Sequence, residues 1–378
     1  MNLFWRNRLI ALCASSLAVA LGWWLANGIY DLPVLLFAIT GAASVVALFG
    51  VPLDAVALGG LLFGYIVGNR GFAQFSLLPG LPLLPAEAGL VICSGWLVVK
   101  SAFAKRLPLL RDALNLTVLL WIVAGSARII PDLRAHGVVA LRDFATIYYA
   151  AFFFIAQVQA GHETSRRFLE RCLLTAVVIV IPLAELFRRF PEFFFSKLTI
   201  GGIPLIYFKG DLVATFMVVG VLYTHRRWEQ SRRTGWLLVA LGGLGGVLVT
   251  EIRASLLGLF TATAWLVVGR RIALLRTLLI AALIGGIGLV GALGIGALSS
   301  RENFAYRLYE RVLSIADISG NRTYLSTDVE YKGDNNRFRL IWWRTIIDET
   351  IDGDPWFGLG FGHDLAAGFV RRYYPDSD

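Results

Sequence analysis

Charge is what this chain lacks. Only 16% of its 378 residues are Asp, Glu, Lys or Arg, while 57% are hydrophobic, and a soluble domain carries about a quarter charged residues. With a mean hydropathy of +0.67, the composition excludes a water-soluble fold of this size and predicts a polytopic membrane protein. Cysteine is equally scarce. Cys13, Cys93 and Cys172 lie in or beside apolar runs, at no metal-ligand spacing, so buried thiols are expected, with no disulfide framework and no metal site. Low-complexity linkers and internal repeats are missing as well, and the glycine-rich runs 242–246 and 285–296 carry no Lys or Ser/Thr of a phosphate loop. Close helix packing is the better reading of those glycines, Gly242 and Gly246 having the small-xxx-small spacing.

The charge that is present is unevenly spread. The net +9 could suggest nucleic acid, yet residues 299–378 hold ten Lys and Arg against thirteen Asp and Glu, and the excess of positive charge sits in the short loops before them. There it sets topology rather than binding nucleic acid. Apolar runs near Leu9–Ala26, Leu32–Phe49, Val51–Val67, Leu83–Val99, Leu109–Ile130, Leu141–Val158, Phe168–Phe187, Leu212–Tyr223, Trp236–Thr250, Ala254–Val268 and Ala273–Leu298 predict about eleven transmembrane helices. Alternate loops, starting with Arg6 and Arg8, hold sixteen of the 25 Lys and Arg before residue 299. The positive-inside rule therefore places the amino terminus in the cytoplasm and residues 299–378 on the outer, periplasm-like side. The expected organisation is all-α, a transmembrane helical domain over 1–298 and an extracytoplasmic loop over 299–378.

The loop holds the longest polar stretch. From Asn336 the spacing of Leu340, Trp343, Ile347 and Ile351, with Arg337, Arg344 and Asp348 on the other side, predicts an amphipathic helix capped by Asn335 or Asn336. Asp352, Gly353, Asp354 and Pro355 end it, with Gly353 taking the left-handed terminal position, and Gly358, Gly360 and Gly362 form a tight turn. A cap lying on the bilayer surface is one reading of such a helix.

Ionisable groups at the outer ends of spans are the informative ones, because charge near hydrocarbon is costly and tends to be paired or functional. Arg142 and Asp143 open the sixth span, Lys209 and Asp211 the eighth, and Thr250, Glu251, Ile252 and Arg253 form a hinge with no Gly or Pro to turn on. Arg337, Arg339 and Arg344 join them from the loop helix. Singly each suits a snorkelling anchor or an ion pair; together on one side they suit an anionic headgroup. Asp54, Glu87 and Glu185 fall within apolar runs, where nothing selects among them. His136, His162 and His225 read as solvated loop residues, and His363 alone is read as an outer-face base.

Arg339, Trp343, Pro355, Gly358, Gly360 and Gly362 resemble the large periplasmic loop of the O-antigen ligase and O-antigen polymerase family. The hinge Thr250–Arg253 is similar to that family's short junction ahead of the loop, with Ile252 in place of the usual Ser. The resemblance implies a bacterial inner-membrane glycosyltransferase that passes a glycan from undecaprenyl pyrophosphate to an acceptor hydroxyl, on a glycan or lipid, without cofactor or metal. It implies that Arg253, with Lys209, Arg142 and Arg339, holds the pyrophosphate. The family's loop His-Asn pair and the spans after it have no counterpart up to Asp378. A longer natural chain is one expectation, His363 standing in for the missing histidine another, and an inactive protein a third. A transporter of an anion or lipid-linked solute is the alternative function.

Overall fold

The computed structural model describes residues 31–76, 84–104, 112–250 and, apart from 318, 320 and 326, 304–373, with short stretches near 19–27 and 256–264. Within them the chain is almost wholly helical. In order come α1 (Asp31–Phe49), α2 (Leu53–Val67), α3 (Arg70–Gln74), α4 (Pro85–Ala104), α5 (Ala113–His136), α6 (Val138–Asp143), α7 (Ala145–Tyr148), α8 (Ala151–Gly161), α9 (Glu163–Arg189) and α10 (Pro191–Ser196). A hairpin of β1 (Thr199–Ile200) and β2 (Ile203–Pro204) follows, then α11 (Gly210–Ser231), α12 (Thr234–Thr250), α13 (Phe304–Ala316), α14 (Thr327–Gly353) and α15 (Ala367–Tyr373).

Three stretches among the described residues are long and apolar enough to cross a membrane: Pro85–Phe103, Ala113–His136 and Val138–Gly161. That is a membrane protein, though not the eleven spans expected. The runs Val51–Val67 and Trp236–Thr250 become α2 and α12, of 15 and 17 residues, about 22 and 25 Å of helix against a hydrocarbon core of about 30 Å. Phe168–Phe187 and Leu212–Tyr223 are the apolar parts of α9 and α11, whose remaining turns carry charge. Ala273–Leu298 and most of Leu9–Ala26 and Ala254–Val268 lie outside the described residues.

Two compact units divide the chain, Met1–Pro108 with Ile155–Val213, and Leu109–Phe154 with Ala214–Asp378. In the first, α2 packs on α9 and α4, and Val51, Ala55 and Val56 form a core closed by Val45, Val46 and Phe168. Asp54 is buried in it, accepting from Lys100 Nζ at 3.0 Å and from Gln159 Nε2. A carboxylate among apolar helices needs such partners, since an unpaired charge there costs several kcal/mol. Cys93 is buried as expected and donates to the Asp54 carbonyl at 3.4 Å.

In the second unit α5 starts at Asp112, whose carboxylate accepts the Asn115 N–H at 2.7 Å, the ordinary N-cap bond. It ends at Gly137, in left-handed conformation with φ +61°, and α6 begins at once. The loop helix α14 starts at Thr327 rather than at an Asn335 or Asn336 cap. Asn336 lies inside it and donates from Nδ2 to the Asp317 carbonyl at 2.8 Å, tying α14 to the end of α13. The helix stops at Gly353, but not through a left-handed Gly353. The turn is made by Asp354, whose Oδ1 accepts from the N–H groups of Trp356 (3.2 Å) and Phe357 (3.1 Å). The apolar stripe of Leu340, Trp343, Ile347 and Ile351 is exposed.

Candidate functional site

The site grows from a period of four in an apolar helix. Arg128, Asp132 and His136 follow one another along one face of α5, with Arg128 Nε 3.2 Å from Asp132 Oδ2. Asp132 is buried, and Arg128 donates from Nη2 to the Gly358 carbonyl at 3.3 Å and lies 3.9 Å from Asp354. The three polar groups are thus turned toward the stretch 354–363.

That stretch fits them because three of its residues have no side chain. Gly358, Gly360 and Gly362 have φ of +73°, +86° and +83°, a region where only glycine is unstrained. A Cβ on Gly360 would stand 2.7 Å from Asp132 Oδ1, and one on Gly362 2.7 Å from the His136 Cβ. Bare backbone therefore approaches the helix end. The Phe361 N–H donates to Asp132 Oδ2 at 2.7 Å and the Gly362 N–H to Asp143 Oδ2 at 2.9 Å. The Phe361 ring meets Phe144 edge-on, centroids 5.6 Å apart.

The clamp delivers His363. Its Nε2 lies 3.1 Å from Glu349 Oε1, and its ring is 6.5 Å, nearly perpendicular, from that of His136. Both members of the His363–Glu349 pair are about three-quarters buried. The other oxygen of Glu349 is buried with no hydrogen-bond partner among the described residues. On the far side Trp342 donates from Nε1 to the Leu365 carbonyl at 3.0 Å, and Phe338 packs edge-on against Phe369 at 5.0 Å. These contacts seat α15 on α14 and close the turn around His363. A histidine fixed through one nitrogen by a carboxylate is arranged to take a proton at the other.

No match emerges from comparison with family models, curated proteins or solved structures. The site therefore rests on its own geometry. Of the residues expected from the sequence, His363 lies at its centre, and Arg142 is exposed on α6 next to Asp143. Arg339 is exposed on α14. Lys209 belongs to the first unit, where its Nζ is 3.5 Å from Asp211 and its N–H donates to Asn69 Oδ1 at 3.0 Å. Arg253, with the rest of the hinge 251–255, lies outside the described residues. Sequence reading missed Arg128, Asp132 and Glu349; His136, read as a solvated loop residue, is exposed but is the last residue of α5. The signal for the α5 residues was present in their spacing; for Glu349 only its contact with His363 singles it out. No group of three His, Cys, Asp or Glu that could hold a metal occurs among the described residues.

Proposed function

We propose that this chain is a metal-independent glycosyltransferase of the bacterial inner membrane, similar to the O-antigen ligases and polymerases, with its amino terminus cytoplasmic and residues 299–378 periplasmic. It moves a glycan from undecaprenyl pyrophosphate to an acceptor hydroxyl. The observation that supports this most is the His363–Glu349 pair, clamped by Gly358–Gly362 onto the end of a membrane helix.

In the proposed step His363 accepts the acceptor's O–H proton while the acceptor oxygen attacks the anomeric carbon. The bond from that carbon to the phosphate oxygen breaks, and undecaprenyl pyrophosphate leaves with the electron pair. Glu349 holds the imidazole and stabilises the imidazolium. Arg142 and Arg339, both exposed, and Arg253 are assigned to the pyrophosphate; preorganised cations offset the charge that develops on the leaving group.

Transfer of lipid-linked glycan by purified protein in liposomes tests the reading. His363→Gln lowers the rate by about 10² to 10⁴, the usual worth of a general base. Arg253→Lys, which keeps charge but loses the planar fork, costs about ten- to a hundredfold. A His363→Gln variant with the wild-type rate overturns the assignment, and anion flux through liposomes without sugar transfer establishes the transporter instead.

A further inference from the structure

A second site lies in the first unit, independent of the transfer reaction. Between the end of α1, the connection into α2 and the first two turns of α9 is a cavity of about 430 Å³. One wall is apolar, made by Val45, Phe49, Val51 and Phe168; the other carries Thr164, Arg167 and Arg171 with Glu163. Phe49 is 65% exposed and Val51 belongs to the buried core, so the apolar wall runs outward from the core. Glu163 is already taken by Arg167, one helical turn along. That bond orients the Arg167 guanidinium, while Arg171 has no carboxylate partner among the described residues.

This pairing of features selects an occupant. A free anion would use the guanidiniums and the first turn of a helix but gain nothing from four apolar side chains. A hydrocarbon chain would use the wall and leave two arginines unmatched. A molecule with both an anionic phosphate and acyl chains uses all of it, and the arginines stand where apolar helix gives way to charge, the depth of a lipid headgroup. We propose that the cavity binds an anionic glycerophospholipid of the surrounding membrane, its phosphate on Arg167, Arg171 and the Thr164 hydroxyl and its chains along Phe49 and Phe168. Arginine suits this because its planar fork donates two parallel bonds to phosphate oxygens.

The probe is dioleoyl phosphatidylglycerol against dioleoyl phosphatidylcholine, which share their chains and differ in net charge. Delipidated full-length protein is equilibrated with equal amounts of both, and bound lipid is counted by native mass spectrometry. Wild type retains phosphatidylglycerol with at least about a tenfold preference, as two arginines near one headgroup imply. Arg167→Gln with Arg171→Gln reduces that preference to about twofold or less, and Phe49→Ala weakens retention of both lipids together. Arg226→Gln with Arg227→Gln, removing the same charge from α11, leaves the preference intact. No preference in wild type, equal loss in the α11 variant, or displacement of the lipid by millimolar inorganic phosphate overturns the site. The double variant removes side chains that reach the surface, and a size-exclusion profile matching wild type shows that it is folded.

Discussion

Glycine at three alternate positions is what lets the second unit close, and the three are not equivalent. Gly358 has a left-handed φ but open space around it, whereas Gly360 has both the φ and a carboxylate and guanidinium in the place of a Cβ. Gly358→Ala is expected to cost about 1–2 kcal/mol, the strain of left-handed backbone. Gly360→Ala adds a clash and loosens the hold on Asp132, costing roughly 3 kcal/mol, and limited proteolysis between Pro355 and His363 reads the difference. His225 offers a pH test. It was expected to be solvated, but it is 2% exposed with both ring nitrogens unpartnered among the described residues. Burial lowers its pKa below 6.5, against a smaller upward pull from Glu229. The folded state then binds the proton less readily than the unfolded one. Stability is full above about pH 6.5 and falls as the pH drops below it. His225→Phe should flatten that decline in thermal melts between pH 7 and 5. The burial was not legible because the Arg226–Arg227 pair beside it reads as a loop, while the helix α11 in fact continues through all three.

Elements were easier to read than the contacts between them. Apolar runs gave most helix positions, and the clustered Asp352–Pro355 gave the end of α14, since local chemistry decides both. The start of α14 was misplaced by nine residues because Val329 and Tyr331 alone interrupt the polar stretch Thr327–Asn335 and set no helical stripe. Its contact with α13 depends on Asn336 reaching a carbonyl 19 residues earlier, a pairing that no periodicity encodes. Asp54 is a parallel case. It stood out as a carboxylate in an apolar run, but choosing it over Glu87 or Glu185 required seeing Lys100 and Gln159 converge on it. Lys100→Met should leave Asp54 buried with only the neutral donors Gln159 Nε2 and the Ala55 N–H, and the loss in thermal stability should be roughly 2–3 kcal/mol. That is below the usual 3–5 for a buried pair because Lys100 is one-third exposed. Lys100→Arg should recover part of it. If Lys100→Met melts with wild type, the pair contributes nothing to stability.

For the whole molecule the testable quantity is sidedness. With Cys13, Cys93 and Cys172 replaced, a cysteine in place of Trp356, which is 90% exposed, should react with a membrane-impermeant maleimide in intact cells. One at Ser231, between Arg227 and Arg232, should react only after the membrane is opened. The reverse pattern sinks the proposed topology and the outer-face chemistry with it. The two units are also interleaved along the chain, and this gives the order of synthesis a physical meaning. Arg128 is made 230 residues before the Gly358 carbonyl that it will hold, and Asp132 229 residues before the Phe361 N–H that it will accept. At about 5–20 residues per second, that is a wait of roughly ten to fifty seconds. During it a carboxylate and a guanidinium stand in an apolar helix without their final partner. Their spacing of one helical turn lets each neutralise the other in the meantime, so the nascent helix carries its charges already matched, keeps that bond, and adds the contacts to Gly358 and Phe361 only when the glycine turn arrives.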